Sequence, residues 1–525
     1  MKILSFKPGH DGTIAGIDTD RGDLLFSYEA EKDSFLRNSS ITPDAFMDAA
    51  LWFKELPDVL SLSGWSGTSN EIVSTSGAGY FGIGEGSEVG QKKGFFGKNV
   101  DFYSSTHERS HIWSTYAMSP FPQGEPCYVL VWEGELGEFY EIDQKLQVKH
   151  LGRVLDAPGN KFSFLYFLAS AGVSRQSETV HNDEPGKLLA ASAAGKTGPL
   201  DKDEQEVFDF IFGQEGKLSV ADKRRLEGSP FFNIGVDSQK FKDLAAKVSD
   251  AIFQRFFDFA KANLDQSYPL LIAGGGGLNC DWNTRWRESK LFKDVFVPPC
   301  TNDTGSAIGT AVDAMRHFTG RAKLEWTVYS GQPFLDDIGV DHMEDVAASE
   351  VNLAEVAAAL YRGEIIGWAR GNCEIGPRAL GNRSVLAAPF SKQTSERLNE
   401  IKGRELSKPI APACLEEDVS KHFDWSGPSP YMMYFQKVTD PQLEAIRHVD
   451  ESARVQTVTR DQNASFYDLL TEFKKVSGVG VLCNTSLNFV GSGFINRTSD
   501  LYDYAKTVGL DGFVAGLTYY RFLKQ

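Results

Sequence analysis

The chain has 525 residues, of which 41% are hydrophobic and 24% are charged, a balance typical of a globular protein with two or more domains. Its formal net charge is −17, and so acidic a surface repels a phosphate backbone, which argues against nucleic acid as a partner. The six cysteines form no CxxC pair and no disulfide-like cluster, which favours reduced thiols in a cytoplasmic protein. The N-terminus has no signal-peptide core, and the longest apolar stretch, residues 162–173, is too short to span a bilayer, so we expect no membrane partner.

The N-terminal third alternates strand signals with turns. Three short strands joined by glycine-containing turns are predicted at residues 2–6, 13–18 and 24–29. Thr42 is typical of a helix N-cap and Pro43 of a first helical residue, so a helix is predicted from there to about Lys54, followed by a strand at residues 59–63. Residues 64–97 are rich in glycine, serine and lysine, and we expect a long loop there, which is a common kind of binding element.

The middle of the chain mixes antiparallel strands with βα units, which predicts an α/β fold. Helices are predicted at residues 105–118, 239–264 and 303–317, and strands at 127–133, 138–143 and 270–273. Between about residues 325 and 350 the pattern weakens and becomes acidic, so we place a domain boundary there, with domains at 1–345 and 346–525. In the second domain we predict helices at 353–362, 464–475 and 499–508, strands at 364–369 and 480–483, and a final pair of strands.

The loop at residues 371–384 is the most informative motif of the chain. It carries Arg378 and Arg383 within six residues, between three glycines and a proline. A turn-rich loop of this kind brings guanidiniums and bare backbone N–H groups together, which is chemistry for holding a phosphate or carboxylate. A second basic cluster consists of Lys402, Arg404 and Lys408. One such loop is equally well explained as a surface loop with paired charges, but two in one domain favour a site for an anionic ligand.

Residues 107–111 read His-Glu-Arg-Ser-His, and two histidines four residues apart face one side of a helix and can share a metal ion. In a zinc peptidase Glu108 would be the general base, and Glu133 could be a third ligand. Asp303, at a predicted helix start, completes the set if it is a ligand, but as an N-cap it needs no function. The simpler interpretation of the two histidines is an exposed helix face without a metal.

Two turns are candidates for nucleotide binding. Residues 274–277 are four glycines between a strand and a predicted helix, and with Asn279 their N–H groups suit a nucleotide phosphate. The spacing is not that of a dinucleotide-binding motif. His10 and Asp11 lie in the first turn between two strands, and in actin-like ATPase folds such a turn faces the nucleotide phosphates, while Lys32 follows the third strand. Ordinary turn chemistry explains both N-terminal segments equally well.

In the second domain, Arg454 lies on a predicted strand, and residues 484–488 read Asn-Thr-Ser-Leu-Asn at a strand end. Hydroxyls and amides at such a position can orient a small polar group. Polar turn residues without a function fit that segment about as well.

Taken together and in this order, these motifs resemble the O-carbamoyltransferase family of antibiotic and nodulation-factor biosynthesis, over nearly the whole chain. The segments at residues 6–12 and 31–35 look closest to the cephem-type carbamoyltransferases. The resemblance implies a larger domain with an actin-like ATPase-type fold, similar to the threonylcarbamoyl-transfer enzyme of tRNA modification. It also implies a smaller α/β domain, similar to that enzyme's partner, which makes the carbamoyl adenylate.

The resemblance also implies the chemistry. ATP and carbamoyl phosphate would form carbamoyl adenylate in the C-terminal domain, and the carbamoyl group would pass to a hydroxyl of a small-molecule acceptor in the N-terminal domain. His107, His111 and Asp303 match the family's metal ligands, whereas Glu133 stands where the family usually has aspartate. Iron, manganese, zinc or magnesium would be the metal.

By the same resemblance we expect three groups of site residues. The catalytic residues would be His10, Asp11 and Lys32, with His10 as a base or as the group that orients the acceptor. The nucleotide-binding residues would be Gly275, Gly276, Gly277, Asn279 and Asp303. Forming an anhydride from two anions needs several cations. The residues expected to hold carbamoyl phosphate and the adenylate are Arg378, Arg383, Ser384, Lys402, Arg404, Arg454, Asn484 and Ser486.

Two alternatives remain open. A zinc metallopeptidase rests on residues 107–111 alone and leaves both basic loops unexplained. A tRNA-modifying protein shares the fold type, but the charge of −17 and the fused second domain disfavour it. The sequence names neither the acceptor nor the metal, although residues 64–97 are expected to form part of the acceptor pocket. It also leaves the oligomeric state open, with a homodimer as one option.

Overall fold

The computed structural model describes residues 1–69, 72–84, 88–171, 184–404, 408 and 410–523. The chain forms two compact units, one made of Met1–Met118 with Pro298–Gln525 and the other of Ser119–Val297. Both combine helices with mixed sheets, which confirms the predicted α/β class. Among the helices of the described residues, none is both long and apolar enough to cross a membrane.

The described part of the first 118 residues contains eight strands and two helices. These are β1 (Lys2–Lys7), β2 (Thr13–Asp18), β3 (Asp23–Glu29), α1 (Pro43–Phe53), β4 (Val59–Ser63), β5 (Trp65–Ser69), β6 (Ile72–Ser76), β7 (Glu88–Phe95), β8 (Lys98–Ser105) and α2 (His107–Met118). Six strands form a sheet in the order β3-β2-β1-β4-β8-β7, with β4 parallel to β1 and β8 and the outer pairs antiparallel. The predicted start of α1 is confirmed, because the Thr42 side chain accepts the N–H of Ala45 and Pro43 begins the helix.

The prediction of a long loop at residues 64–97 is wrong for the described part of that segment. β5 and β6 form an antiparallel hairpin, and β7 pairs with β8 at the edge of the sheet. The glycines there permit close packing of backbones, since a Cβ atom on Gly64 would lie 2.0 Å from the carbonyl oxygen of Gly79. Residues 70–71 and 85–87 lie outside the described residues.

The second unit is built on a five-stranded sheet. Its elements are β9 (Cys127–Trp132), β10 (Gly137–Ile142), β11 (Val148–Arg153), α3 (Pro158–Ala169), α4 (Glu184–Ala193), α5 (Lys202–Gly213), α6 (Val220–Arg224), α7 (Gln239–Asn263), β12 (Leu270–Ala273), α8 (Cys280–Ser289) and β13 (Val295–Phe296). The strand order is β11-β10-β9-β12-β13, with β12 parallel to β9. The predicted apolar face of α7 is buried, and its Phe256 packs on Trp132 at the end of β9, with ring centroids 4.5 Å apart.

The remainder of the chain completes the first unit. Its elements are α9 (Ser306–Thr319), β14 (Val346–Glu350), α10 (Leu353–Tyr361), β15 (Ile366–Ala369), β16 (Arg383–Ala387), α11 (Lys392–Ile401), β17 (Pro412–Leu415), α12 (Val419–His422), β18 (Gln436–Lys437), β19 (Ser452–Ala453), β20 (Gln456–Val458), α13 (Ala464–Ser477), β21 (Val481–Ser486), α14 (Thr498–Val508), β22 (Gly512–Ala515) and β23 (Thr518–Phe522). Eight strands form one sheet in the order β14-β23-β22-β15-β16-β21-β17-β20. Because β15 and β16 are antiparallel neighbours, the sheet fixes both ends of the loop at residues 371–384.

Candidate active site

Helices α2 and α9 pack at very close range, and this contact fixes the two histidines of α2. A Cβ atom on Gly309 would lie 1.8 Å from the carbonyl oxygen of Ser110, so only glycine allows this approach. Arg109 donates from Nε and Nη2 to the two carboxylate oxygens of Asp313, at 2.9 and 2.6 Å. All of these groups are buried, so sterics and a bidentate ion pair set the position of α2 against α9.

His107, His111 and Asp303 meet next to this helix contact. Nε2 of His107 lies 3.1 Å from Nε2 of His111, and Oδ1 of Asp303 lies 3.5 and 3.3 Å from the same two nitrogens. Ligand atoms bound about 2.1 Å from one metal ion lie about 3.0–3.4 Å from each other. The donor set of two imidazoles and a carboxylate, at these spacings, therefore fits a divalent metal such as zinc, iron or manganese.

The second carboxylate oxygen of Asp303 has different neighbours. Lys7 Nζ lies 3.1 Å from Oδ2, and His10 Nε2 lies 3.7 Å from it. Burial alone would raise the pKa of Asp303, but the charges of His107 and Lys7 and the hydrogen bonds from the histidines hold its pKa well below the usual range. Asp303 is therefore an anion shared between the histidine pair on one side and Lys7 with His10 on the other.

The turn between β1 and β2 presents His10 from a tightly held backbone. Gly9 and Asp11 both have positive φ, at 79° and 52°, which glycine and aspartate tolerate better than most residues. The N–H groups of Asp11 and Gly12 donate to the carbonyl oxygens of Asn38 and Ser39. The segment at residues 38–39 thus acts as a support that keeps the turn in place.

The imidazole of His10 is oriented by two neighbours and is 43% exposed. Its Nδ1 lies 3.1 Å from Oδ2 of Asp11, and its ring meets the Trp65 ring edge-on, with centroids 4.6 Å apart. When Asp11 accepts the hydrogen of Nδ1, the Nε2 lone pair is left to take a proton. His10, Asp11 and Asp303 form a second group that could hold a metal ion. In that group Oδ2 of Asp303 already contacts the Lys7 ammonium, so the histidine pair is the more favourable metal site.

Glu108 has surroundings that differ from those of a peptidase base. Its Oε2 accepts the N–H of Gly82 at 2.8 Å, and the side chain is buried in the first turn of α2. In a zinc peptidase this glutamate must face the water on the metal. The contact with Gly82 makes Glu108 an anchor for the segment that precedes β7, and this geometry disfavours the peptidase alternative.

Glu133, the expected fourth ligand, belongs to the second unit. It is buried directly after β9, where its N–H donates to the Leu136 carbonyl and its own carbonyl accepts the N–H of Gly159. Its backbone is therefore well fixed within that unit. Its participation in the metal site stays a prediction.

The glycine run after β12, also in the second unit, has one packed face and one open face. A Cβ atom on Gly276 would lie 2.5 Å from the carbonyl oxygen of Trp132, whereas a Cβ atom on Gly275 would meet no atom within 4 Å. Asn279 caps α8 by accepting two backbone N–H groups at its Oδ1. Within the described part of the chain, its buried Nδ2 has no hydrogen-bond acceptor, four residues after Gly275.

A buried carboxylate occupies the centre of the loop between β15 and β16. Oε1 of Glu374 accepts the N–H groups of Leu380, Asn382 and Arg383, at 2.7, 2.8 and 3.1 Å. These are backbone donors of the kind that the sequence suggested for an external anion. The expectation of bare N–H groups is wrong for these three, because the loop supplies its own anion to them.

Arg383 is also engaged inside the protein, with 0% exposure. Its five N–H groups donate to Oδ1 of Asn496 and to the carbonyl oxygens of Arg370, Gly371 and Asn382, at 2.6 to 3.2 Å. A guanidinium has five donors, so none is left for a ligand. Arg383 holds the two ends of the loop together, and its geometry does not support the expected contact with carbamoyl phosphate.

Arg378, in contrast, lies half-buried at the tip of the same loop. The carbonyl oxygen of Ala379 accepts a hydrogen bond from Asn484 Nδ2 at 3.2 Å, and that of Leu380 accepts one from Tyr329 Oη at 2.7 Å. The backbone that follows Arg378 is therefore fixed by side chains from elsewhere in the unit. The loop presents this arginine on a rigid support.

Ser384 and Ser486 lie opposite each other on the antiparallel strands β16 and β21. Oγ of Ser384 accepts the N–H of Gly381 at 3.2 Å, so this hydroxyl helps to shape the loop. Asn484 lies two residues before Ser486 on β21, and its buried Oδ1 has no donor among the described residues. The three residues thus lie in one region of the sheet, and their contact with a ligand stays a prediction.

Lys32, expected as a catalytic residue, supports the loop at residues 371–384, which we call the arginine loop. Its buried ammonium lies 3.1 Å from the Glu29 carboxylate and donates to the carbonyl oxygens of Glu374 and Gly376, the latter at 3.0 Å. Oε1 of Glu29 also accepts the N–H of Gly376 at 2.6 Å. These contacts engage all three hydrogens of the ammonium, which is the geometry of a residue that holds the loop.

Lys402 has a similar place beneath residues 486–488. Its Nζ donates to the carbonyl oxygens of Ser486 and Asn488, at 2.7 and 2.9 Å, and to Oδ1 of Asn488 at 2.6 Å. Burial first, and then the positive charges of Arg404 and Arg37, hold the pKa of Lys402 well below its usual range. Besides being buried, this lysine therefore has two arginine charges close enough to disfavour its own charge.

Arg37 and Arg404, together with Arg454, form a group that we call the arginine cluster. Burial, followed by the charges of Arg454 and Arg37, lowers the pKa of Arg404. In the part of the chain that the structure describes, none of the three has a carboxylate partner, and the buried Nε of Arg454 and Oη of Tyr504 have no hydrogen-bond partner. In a protein of net charge −17, uncompensated cations of this kind indicate a site for an anion.

Comparisons with known proteins bear on both regions. A family model described as Carbamoyltransferase N-terminus matches residues 86–312, and one described as Carbamoyltransferase C-terminus matches residues 357–521. Two relatives named 3'-hydroxymethylcephem-O-carbamoyltransferase, from Amycolatopsis lactamdurans and Streptomyces clavuligerus, are 44% and 42% identical, with 99% of both chains covered in each comparison. Nodulation protein U of Rhizobium tropici is 32% identical over 94% of this chain and 92% of its own.

The chain belongs to the carbamoyltransferase family. As a member of that family it is an enzyme that transfers a carbamoyl group. A solved glucokinase from Balamuthia mandrillaris covers 60% of this carbamoyltransferase and 93% of its own chain, with 11% identity and a TM-score of 0.26. So weak a likeness carries no argument about the fold.

Four residues of this carbamoyltransferase that shape the two regions were assigned no role from the sequence: Lys7, Arg37, Glu374 and Tyr504. Lys7 ends a mostly buried strand three residues before His10, and a lysine at the inner end of such a strand is a signal that could have identified it. Arg37 and Tyr504 are distant in sequence from Arg404. No local pattern links them, because only the fold brings their charges together.

Proposed function

We propose that the protein is an ATP-dependent O-carbamoyltransferase that forms carbamoyl adenylate and passes the carbamoyl group to a hydroxyl of a cephem-type precursor. The observation that carries this proposal is the arginine cluster, which has no carboxylate partner among the described residues and lies in the same unit as the centre of His107, His111 and Asp303. The first suits two anionic co-substrates, and the second suits transfer to a hydroxyl. The acceptor class follows the relatives at 44% and 42% identity, whose names specify a 3'-hydroxymethylcephem.

In the activation half of the reaction, water releases phosphate from carbamoyl phosphate and leaves carbamate. A carbamate oxygen then bonds to the α-phosphorus of ATP, and pyrophosphate leaves with the electron pair of the broken P–O bond. Both steps bring anions together, so surrounding cations offset the repulsion. The cations that we assign to this role are Arg37, Arg378, Arg404 and Arg454. Asn484 and Ser486, the latter held by Lys402, offer an amide and a hydroxyl to the carbamoyl group.

In the transfer half, the acceptor oxygen bonds to the carbamoyl carbon, and AMP leaves with the electron pair of the broken C–O bond. His10 takes the hydroxyl proton at Nε2, while Asp11 holds the opposite ring nitrogen and fixes the tautomer. A metal ion held by His107, His111 and Asp303 would supply positive charge to the phosphate oxygens as a Lewis acid. The partly exposed imidazole of His10 lets an acceptor approach the base.

We extend the proposal to the architecture. Residues 1–345 would form a transfer domain with an actin-like ATPase-type fold, and residues 346–525 an activating domain. Within the second unit, the glycine run at residues 275–277 would bind a nucleotide phosphate. The open face at Gly275 and the buried donor of Asn279 support that assignment.

The decisive experiment incubates the protein with carbamoyl phosphate, ATP, a divalent metal and a 3'-hydroxymethylcephem. We expect pyrophosphate release that depends on carbamoyl phosphate, and a cephem product that has gained one carbamoyl group by mass spectrometry. Omitting ATP or carbamoyl phosphate should abolish both signals. Hydroxylated acceptors without a cephem nucleus serve as the matched control for substrate class.

The outcomes separate the parts of the proposal. No pyrophosphate release and no product, with iron, manganese and zinc each supplied, rejects the proposed function. Pyrophosphate release without a cephem product supports the activation half and rejects the acceptor class. Zinc-dependent peptide hydrolysis that is lost in Glu108→Gln would revive the peptidase alternative.

A further inference from the structure

Lys7 is an ammonium group buried in the region that we propose carries out the transfer, and no motif of the sequence gives it a function. It is the last residue of β1 and has 0% exposure. A fully buried lysine destabilises a fold unless its charge is paired and its hydrogens are bonded. Its presence therefore calls for a reason in its contacts.

The contacts of Lys7 are all with residues of that region. Nζ lies 3.1 Å from Oδ2 of Asp303, donates to the carbonyl oxygen of His10, and lies 4.3 Å from the centre of the Trp65 ring. These neighbours surround the ammonium with an anion, a carbonyl and an aromatic face. These contacts place Lys7 where it can position Asp303 and His10.

The two carboxylate oxygens of Asp303 have different partners, and the ion pair with Lys7 keeps Oδ2 away from the histidine pair. Oδ1 faces the histidine pair, and Oδ2 faces Lys7. His10 Nε2 is 3.7 Å from Oδ2, which is just beyond a hydrogen bond. Without the ammonium, Oδ2 would be the nearest anion to Nε2 and would draw the imidazole towards itself.

We propose that Lys7 is a positioning residue of the transfer step. By holding Oδ2 of Asp303 and the carbonyl of His10 at once, it keeps Nε2 of His10 away from Asp303 and accessible to the acceptor hydroxyl. The inference rests on the proposed function, because it concerns the base of the transfer reaction. It predicts that the adenylate-forming step does not depend on Lys7.

The charge of Lys7 gives this idea a signature that simple structural damage lacks. An ammonium next to Asp303 repels a divalent ion bound by the histidine pair. A neutral residue at position 7 should therefore leave metal affinity unchanged or raise it. General disruption of the centre would lower metal affinity instead.

The experiment compares Lys7→Met and Lys7→Gln with wild type and with the control Lys223→Met. Lys223 is also a buried lysine; it donates to the carbonyl oxygens of Phe167 and Ser170 and lies 4.9 Å from the Phe167 ring, but it belongs to the second unit. Three quantities are measured for each protein: carbamoyl-phosphate-dependent pyrophosphate release, carbamoylation of the cephem, and binding of Co²⁺ by titration. Thermal unfolding is recorded alongside.

We expect Lys7→Met to slow carbamoylation roughly 10–100-fold, because a misplaced catalytic group costs about that much. Pyrophosphate release should match wild type, and Co²⁺ should bind equally or more tightly. Lys7→Gln keeps a donor for the His10 carbonyl, so its carbamoylation rate should lie between those of wild type and Lys7→Met. The control Lys223→Met should transfer normally once differences in stability are allowed for.

Two results would overturn the inference. One is normal carbamoylation by a folded Lys7→Met protein. The other is a joint loss of carbamoylation, Co²⁺ binding and thermal stability in both Lys7 variants, which would assign Lys7 a structural role. If wild type itself forms no carbamoylated product, the proposed function fails, and that failure is visible before any variant is compared.

Discussion

The histidine–aspartate centre and the region around the arginine loop relate to their sequence motifs in opposite ways. At the centre, the motif residues turn towards each other, with ligand atoms 3.1 to 3.5 Å apart. Around the loop, two of the motif cations, Arg383 and Lys402, turn towards the protein, whereas Arg404 and Arg454 do not. Arg383 and Lys402 direct every donor to protein acceptors. Arg37, Arg404 and Arg454, the arginine cluster, have no carboxylate partner among the residues that the structure describes.

The difference follows from what each kind of site requires. A metal site needs a few side-chain atoms at one point, and the spacing of residues along a helix is enough to place two of them. An anion site on loops needs those loops to be held first. A buried guanidinium, with five donors in a fixed plane, is well suited to hold them. Within a basic motif, burial and donor count therefore separate supporting residues from binding residues.

The largest effect should come from removing the proposed base. His10→Asn should slow carbamoylation by roughly 10²–10⁴-fold, the usual contribution of a general base, while pyrophosphate release stays near the wild-type rate. The two rates are measured on the same preparation by a coupled pyrophosphate assay and by mass spectrometry of the cephem. Equal loss of both rates would show that the two regions are not separate in function.

The next prediction tests the distinction between supporting and binding arginines. Arg454→Met should raise KM for carbamoyl phosphate about 10-fold or more with little change in stability, because one partner of a desolvated ionic contact is lost. Arg383→Met should remove five hydrogen bonds to Asn496 and to three carbonyl oxygens, of which, among the described residues, only that of Asn382 keeps a second donor, the N–H of Arg370. The free energy of unfolding should therefore fall by about 3–5 kcal/mol. Urea denaturation and steady-state kinetics of both variants provide the comparison.

The two arginine variants are matched controls for each other, since both lose a guanidinium from the same unit. A stable Arg383→Met protein with a raised KM would reverse our assignment, because Arg383 would then bind the ligand and would not support the loop. A destabilised Arg454→Met protein with an unchanged KM would remove Arg454 from the cluster that binds the anion.

Much of the fold could be predicted from the sequence, and the failures have physical causes. The apolar repeat of α7 and the cap at Thr42 are local signals, and both are confirmed. The prediction for residues 64–97 failed because their glycines were interpreted as loop residues, whereas Gly64 permits two backbones to pack closely. In the candidate site, the helical spacing of His107 and His111 was sufficient, whereas the charge of Arg37 near Lys402 depends on contacts across the fold.

A smaller effect is expected at the helix contact that supports the histidines. Gly309→Ala places a Cβ atom 1.8 Å from the carbonyl of Ser110, so α2 and α9 must separate, at a cost of about 1–3 kcal/mol in the free energy of unfolding. Metal affinity should fall as well, because His107 and His111 lie on the displaced helix. Gly213→Ala, whose Cβ meets no atom within 4 Å, is the control and should be nearly neutral. Unchanged metal binding in a destabilised Gly309→Ala protein would contradict a coupling between the contact and the centre.

The smallest effect concerns the pH dependence that Lys402 imposes on stability. Its pKa in the folded protein lies well below the ordinary value of 10.5, so unfolding takes up a proton in the window between the two values. The free energy of unfolding should therefore rise with pH in that window for wild type, relative to Lys402→Met. The measurement is urea denaturation of both proteins at several values between neutral pH and about pH 10.

An anion bound at the arginine cluster should reduce the effect of pH on stability. Carbamoyl phosphate or inorganic phosphate would offset the positive charges of Arg404 and Arg37, raise the pKa of Lys402 and flatten the slope of stability against pH. If the slope is the same with and without a saturating anion, the anion binds elsewhere, and the cluster is a structural feature. A slope that flattens in wild type but not in Arg454→Met would place the anion at the cluster without any measurement of catalysis.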